Sequence, residues 1–392
     1  MLEKAVDYDA IIKELKNDFK RRAHYYDKTG KFPYENFNKI VEKNMHTINL
    51  DEKYGGGNWG MEKTCDFLIT IASACPATAL CLAMHYYTLG GLKEILSEKL
   101  KKTVFTDVWE NGEFLGSIGD PNILIFNNQS LSDLTSINYT KVCGGYIVNG
   151  VKKYVSGSPR IRYLPIFCHC NNNYEYSDGV MVLITDIKAP GVVINNTWNY
   201  TAMKASHSNE IKYDNVFVPS ENLVGREGHG IEDTKELLYW FRLALVSVYQ
   251  GVALSAYEYI LELVKTKKDF PFKRNLAFNP RIQDLIAEIK IKLDVSHSYI
   301  KSITQQGDKE KNKYNDEFYL KTLGVKNFVS DTAIEIIHKC MQIEGMASLN
   351  NGNLLERLHR DVSASVFHPP QNNALKELLA MKVLGIIPIR KN

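Results

Sequence analysis

The strongest constraint on the fold is a double change of periodicity along the chain. Through residues 5–105 apolar side chains recur at helical spacing. From Glu113 to Val218 they come in short runs of Val, Ile, Tyr, Phe and Thr, cut by Asn, Gly, Asp and Pro. After Gly230 the helical spacing returns and persists. A switch from period 3.6 to period 2 and back excludes a single repeated motif. At 392 residues the chain also exceeds one ordinary core. The expected architecture is therefore α+β and multidomain: an N-terminal helical domain (1–111), a central antiparallel β barrel or sandwich (112–225) and a C-terminal four-helix bundle (226–392).

Local signals fill in that outline. Tyr8 to Asp27 reads as a helix, and Lys31 to Phe37 restarts one with Pro33 near its first turn. The glycines of Tyr54-Gly55-Gly56-Gly57-Asn58-Trp59-Gly60 forbid a helix there. Residues 62–74 and 77–100 are helical again, and the second carries His85 on an apolar surface. In the β region, Asn149-Gly150 marks a hairpin turn, and Glu210 to Pro219 alternates like an edge strand. Helices are expected at 231–266, 280–306, 315–340 and 370–385, with Gln305–Asn315 as a solvated connection. Proline disfavours helical geometry in the residue before it, so a further helix should stop near Phe367 and leave His368 exposed at the mouth of a loop.

The totals exclude several functions. A net charge of +3 with no long Lys/Arg block argues against nucleic acid. The acidic start lacks the pattern of a signal peptide, and no run of 18 apolar residues predicts a membrane span. The seven cysteines are odd in number and form no framework, which points to reduced thiols in the cytoplasm. Cys168-His169-Cys170 has metal-ligand residue types, but its apolar setting and the lack of a second ligand cluster read as a buried structural strand. No metal site is expected.

The order of domains, together with several short motifs, resembles the acyl-CoA dehydrogenase superfamily over nearly the whole chain. The motifs are Tyr54-Gly55-Gly56; Met203-Lys204-Ala205-Ser206 with Tyr213-Asp214-Asn215-Val216-Phe217-Val218-Pro219; Arg242 with Gly251; Gln342-Ile343-Glu344-Gly345; and Glu356-Arg357-Leu358-His359-Arg360-Asp361. The resemblance implies FAD held between the β domain and the bundle. Ser117, Gly119 and Asn122 stand in a segment that lies on the flavin in the family, with Gly119 replacing a hydroxyl residue. Tyr154 would pack on the ring system, and Ser156 would bond a ring nitrogen. Lys267, Gln342 and Gly345 fall where the family binds the FAD pyrophosphate of a neighbouring subunit, so a homotetramer is implied. Met346 replaces the second glycine of that motif. This departure keeps a second cofactor reading open: reduced FMN or FAD delivered by a partner reductase.

The residues that usually take a proton are missing. In the family a glutamate occupies one of two positions; here these are Phe241 and Pro369, and neither can accept a proton. His368 is the nearest candidate base. His368, Ser156 and His85 also match residue types used by reduced-flavin-dependent monooxygenases of the same superfamily. Glu344 stands where an apolar residue is usual, facing either cofactor or a subunit contact. Glu356, Arg357, Arg360 and Asp361 read as a structural ion-pair turn. The preferred expectation is a flavoprotein that desaturates an acyl thioester, on CoA or a carrier protein, with an electron-transfer flavoprotein as redox partner. The alternatives are a two-component monooxygenase fed by a flavin reductase and acting on a small aromatic, sulfur or nitrogen centre, and a degenerate binding subunit.

Overall fold

The computed structural model describes residues 6–120, 135–170, 179–271, 273–309 and 315–386. The N-terminal part consists of α1 (Tyr8–Thr29), α2 (Tyr34–Glu42), α3 (Met61–Ala72), α4 (Pro76–Leu92) and α5 (Glu98–Asn111). Helix α1 is closed at both ends by its sequence. Asp7 accepts the Ala10 N–H at 3.0 Å, and Gly30 ends the helix in the left-handed conformation. Every residue of α4 is buried, as its nearly uninterrupted apolar and small-residue composition dictates. The expected helix over 77–100 is two helices. The chain turns at Lys93–Leu96, and the Ser97 hydroxyl caps α5 at the Leu100 N–H, 3.3 Å away. In the glycine loop before α3, a Cβ on Gly56 would lie 2.0 Å from the Leu50 carbonyl oxygen, so no other residue fits.

The central unit is one mixed, open sheet. Its strands are β1 (Phe114–Leu115), β2 (Ile137–Val142), β3 (Gly145–Val155), β4 (Ile161–Cys170), β5 (Val180–Asp186), β6 (Val192–Asn195), β7 (Asn209–Pro219) and β8 (Leu223–Val224). They lie in the order β6-β7-β3-β2-β4-β5-β8, with β1 beside β4. Most pairs are antiparallel, but β1 and β2 both run parallel to β4.

Two local expectations are corrected here. The β2–β3 hairpin turns at Cys143-Gly144, where Gly144 has φ +79°, and Asn149-Gly150 lies inside β3 opposite Asn138 and Ile137. Gly150 serves a close backbone approach: a Cβ there would meet the Ser136 carbonyl at 2.2 Å. Strand β7 is interior, between β6 and β3, and is not an edge.

The C-terminal part comprises α6 (Gly230–Asp233), α7 (Lys235–Thr266), α8 (Pro280–Lys309), α9 (Asp316–Glu344), α10 (Leu354–Ser363) and α11 (Asn372–Val383). Gln305 to Lys309, expected in a connection, complete the last turn of α8. Helix α7 packs against α3, α4, α8, α9 and α10. It is long and apolar enough to cross a membrane, yet 89% of its most apolar window is buried within the fold. Helix α10 ends at Ser363, followed by one 3-10 turn (Ala364–Val366) and then the loop through Pro370. One large hydrophobic core runs through both helical parts and the sheet, beside a small cluster of Tyr26, Ala77 and Ala205, and a cavity lies where the three parts meet.

Candidate functional site

The cavity has a volume of about 610 Å³ and is bordered by α4, β3, the loop before β7, α7, α10 and the loop after α10. Its walls are largely apolar: Leu80 and Met84 from α4, Phe241 and Leu245 from α7, and Phe367 and Pro369 from the final loop. One side is aromatic. Trp198 and Tyr200 stack at 4.2 Å between ring centroids, and Tyr154 meets both edge-on.

Polar groups enter at defined points. The Ser117 hydroxyl lies 2.6 Å from Tyr87 Oη, and the Gly119 N–H donates to both oxygens at 3.1 and 3.0 Å. The Ser156 hydroxyl is 2.8 Å from Ser208 Oγ, which is 2.8 Å from Ser206 Oγ. This chain of hydroxyls can place either a donor or an acceptor at Ser156. The cations on the wall are already engaged: Lys153 pairs with Glu210 at 2.8 Å, and Arg360 pairs with Asp27 at 2.7 Å and Glu356 at 2.5 Å.

Helix α10 holds the aromatic side in place. Arg360 donates to the Thr201 carbonyl at 2.7 Å, and buried Asp361 accepts the Met203 N–H at 2.6 Å. The expected ion-pair turn is thus divided. Arg360 takes the carboxylates of Asp27 and Glu356, whereas Asp361 serves a backbone amide and is pushed up to about 6 by burial.

His368 lines the cavity with its backbone in the loop after α10, and it is partly buried rather than exposed. Its Nδ1 lies 2.7 Å from Tyr249 Oη. Burial, with the Lys326 ammonium nearby, pushes its basicity down to about 4, so the ring is neutral near pH 7. Tyr249 is itself buried, and His368 is the hydrogen-bond partner seen for its hydroxyl. The satisfied arrangement has the tyrosine O–H donating to Nδ1. That assigns the ring proton to Nε2 and leaves an N–H donor for the cavity.

His85 takes a different place. It is buried in α4 and absent from the cavity lining. Its Nδ1 accepts the Leu115 N–H at 3.0 Å, and its Nε2 is 2.8 Å from the His46 carbonyl. With both nitrogens spent on backbone, the expected catalytic role for His85 is corrected to a structural one that ties α4 to β1. Burial pushes it down to about 3.

The remaining expected residues divide as follows. Ser117, Gly119, Tyr154, Ser156 and His368 all line the cavity, as do Phe241 and Pro369. Asn122 lies outside the described residues. Lys267, Gln342 and Gly345 form a separate group at the far ends of α7 and α9, outside the cavity lining. Lys267 donates to the Glu344 carbonyl at 2.8 Å, and Gly345 has φ +78°. The Glu344 carboxylate is buried and faces neither the cavity nor solvent. It accepts from Tyr259 at 2.7 Å and from Asn353 at 3.0 Å. Cys168-His169-Cys170 forms the end of β4, with Cys168 fully buried. Among the described residues no carboxylate lines the cavity.

Sequence reasoning missed Tyr249, Trp198, Tyr200 and His359. A signal existed for the first: Phe241, Leu245 and Tyr249 follow at four-residue spacing and share one helix face. Trp198 and Tyr200 sit in a loop without periodicity. His359 lies in a motif quoted above for its charged neighbours, and it too lines the cavity.

A planar heteroaromatic group fits this cavity. The aromatic and aliphatic walls suit its faces, and the Ser117 and Ser156 hydroxyls suit its polar edge.

Two family models match the chain: acyl-CoA dehydrogenase, N-terminal domain, over residues 8–111, and acyl-CoA dehydrogenase, C-terminal domain, over residues 228–382. The probable acyl-CoA dehydrogenase YngJ of Bacillus subtilis is 24% identical over 362 residues, covering 90% of this chain and 91% of that protein. Among solved structures, butyryl-CoA dehydrogenase from Megasphaera elsdenii superposes with a TM-score of 0.85 at 17% identity, covering 98% of this chain and all of that one. Dibenzothiophene monooxygenase TdsC from Paenibacillus sp. A11-2 superposes equally well, with a TM-score of 0.85 at 18% identity, covering 97% and 98%. At these identities the two structures establish the shared fold.

Proposed function

The chain belongs to the acyl-CoA dehydrogenase family, and from that premise we propose that it is a flavin-dependent oxidoreductase that transfers oxygen to a small, uncharged, largely apolar substrate. One observation carries this reading. Both positions where the family resemblance places a base glutamate line the cavity, and they are Phe241 and Pro369. The polar side chain beside them, His368, is held by Tyr249 as a neutral donor, which is the wrong protonation pattern for taking an α-proton.

Reduced flavin, when bound, supplies two electrons to dioxygen, so that one oxygen atom enters the substrate and the other leaves as water. The cavity walls bind an aromatic, sulfur- or nitrogen-containing molecule and exclude water. Tyr154, Ser117 and Ser156 would hold the ring system of the cofactor. His368 Nε2–H would orient a polar atom at the reacting centre. A partner flavin reductase supplying reduced FMN or FAD fits this reading.

A second reading is the desaturation of an acyl thioester by resident FAD, with an electron-transfer flavoprotein as acceptor. The curated relatives named acyl-CoA dehydrogenases favour it, and an apolar cavity also suits an acyl chain. It requires His368 to present a bare Nε2, with Nδ1–H donating to Tyr249 and the tyrosine proton losing its acceptor. Lys267, Gln342 and Gly345 then fit the phosphate end of FAD on a neighbouring copy in a homotetramer, because they lie outside this chain's own cavity.

One purification separates the two readings. Oxygen consumption on adding reduced flavin and substrate, with no anaerobic bleaching by an acyl-CoA panel, supports oxygen transfer. Bleaching of bound flavin by an acyl-CoA supports desaturation and overturns the first reading. No flavin binding in either redox state would leave a binding subunit.

A further inference from the structure

The loop from Phe367 to Gln371 brings Phe367, His368, Pro369 and Gln371 to the cavity. A five-residue connection without regular structure is a poor platform for a hydrogen-bond donor, because sites on loops are less exactly held than sites on helices. This loop is closed from beneath by one side chain. Lys326, on the inner face of α9, is wholly buried. Its ammonium donates to the Ser365 carbonyl at 3.1 Å and to Asn372 Oδ1 at 2.6 Å. Ser365, in the 3-10 turn before the loop, and Asn372, the first residue of α11, bracket it on its two sides. Asn372 in turn donates to Asp331 Oδ1 at 2.7 Å, and the Ser330 hydroxyl reaches the Ser365 carbonyl at 3.4 Å.

Among the described residues no carboxylate is bonded to the Lys326 ammonium, and Asp331 is reached through Asn372. Burying an ammonium on neutral partners is unfavourable relative to an apolar residue of the same shape. A methionine would fill the space without that cost, but it could not join the two ends of the loop. Arg242, also buried, adds a second positive charge on the α7 side.

We propose that Lys326 is a positioning residue of the candidate site: its ammonium staples Ser365 to Asn372, shapes the loop between them, and so sets His368 against Tyr249. Its charge is the second half of the effect. A cation beneath the loop disfavours a proton on His368 and preserves the imidazole as a neutral N–H donor. Around the histidine and its loop, Tyr249 from α7 bonds the ring, Lys326 from α9 is the charge that acts on it, Asp331 reaches the loop through Asn372, and His359 from α10 lines the same cavity; Arg242 and Asp361 act on Lys326 and Tyr249 respectively. This role rests on the placement of His368 at the reacting centre, whereas the staple itself does not.

The test uses the full chain with labelled histidine, read by NMR, beside turnover. In Lys326→Met the titration midpoint of His368 should rise from about 4 by the share that the Lys326 charge contributes, and stay below the ordinary 6.5 because burial, the larger cause, is unchanged. The signature of an Nδ1 acceptor should fade as the bond to Tyr249 loosens. In Asn372→Ala, which keeps the charge and cuts one arm of the staple, the same signature should fade with a smaller change in midpoint. Turnover should fall about 10- to 100-fold in Lys326→Met, since small displacements of a reacting group cost that much. If both variants keep the wild-type midpoint and the wild-type Nδ1 signature, the proposal is overturned. Asn372→Ala decides the matter should Lys326→Met fail to fold. His368→Ala is measured in parallel. Unchanged turnover there removes the site reading and leaves the staple to be judged by the spectra alone.

Discussion

Two histidines, His85 in the core and His368 at the cavity, share a chemistry and differ in function. Both are kept neutral by burial, and both stand next to family-like motifs. His85 has no capacity left: one nitrogen accepts from Leu115, and the other bonds the His46 carbonyl. His368 has one nitrogen committed to Tyr249 and one left for whatever enters the cavity. The number of nitrogens still uncommitted separates the catalytic candidate from the structural residue. Burial and lowered basicity do not, since they act on both.

The contrast can be broken by mutation. His85→Ala should show the largest effect on folding, about 3–5 kcal/mol, because it opens a cavity and strands a buried amide and a carbonyl. Denaturant midpoints check this, and a midpoint within experimental error of wild type would return His85 to the list of functional residues. His368→Ala should reverse the pattern, lowering turnover about 100-fold or more while costing about 1–2 kcal/mol of stability, the penalty of the Tyr249 hydroxyl left without its partner. Tyr249→Phe removes only the partner of Nδ1 and should lower turnover by about 10-fold, with the pH profile of activity shifting as the tautomer is released.

A smaller, global test uses acid. His46, His85 and His368 bind a proton more readily when unfolded, near 6.5, than when folded, near 4, 3 and 4. The unfolded chain therefore takes up protons first as the pH falls. Stability should be lost from pH 6.5 down to about 4, by on the order of 1.4 kcal/mol per histidine per pH decade. Asp361 works the other way. Its carboxyl is held at about 6 when folded against 3.8 when free, so acidification between those values favours the fold and blunts the loss. Thermal melting at stepped pH measures the sum, and His85→Gln should flatten it.

The smallest effect concerns the distant group at the ends of α7 and α9. Lys267→Met should leave FMN affinity unchanged and lower FAD affinity about 5-fold, the worth of one hydrogen bond at the pyrophosphate. Equal affinities would mean that Lys267 serves only the Glu344 carbonyl of its own chain.

How much of this could be read in advance depended on the range of the interaction. The replacement of both glutamate positions was legible, because Phe241 and Pro369 each sit in a fixed relation to a nearby arginine. Ser117, Tyr154 and Ser156 are legible from short segments that resemble the family's flavin-contacting ones, and all three reach the cavity. The turn at Asn149-Gly150 was misread because a glycine that admits a neighbouring backbone looks, in sequence, like one that makes a turn. Strand β7 was misread because alternation shows one buried face and does not reveal whether both strand edges are paired.

By itself the sequence determined the three-part architecture and the absence of a glutamate at either base position, since periodicity and short motifs are local properties. The tertiary structure alone decided which histidine keeps a nitrogen for the cavity. It also placed the Trp198–Tyr200 wall opposite α7, and set the Lys326 ammonium beneath the His368 loop. Each of these depends on which distant backbone and side-chain groups become neighbours when α7, α9, α10 and the sheet close on one another. A buried polar atom must then be satisfied by whatever that closure brings within reach.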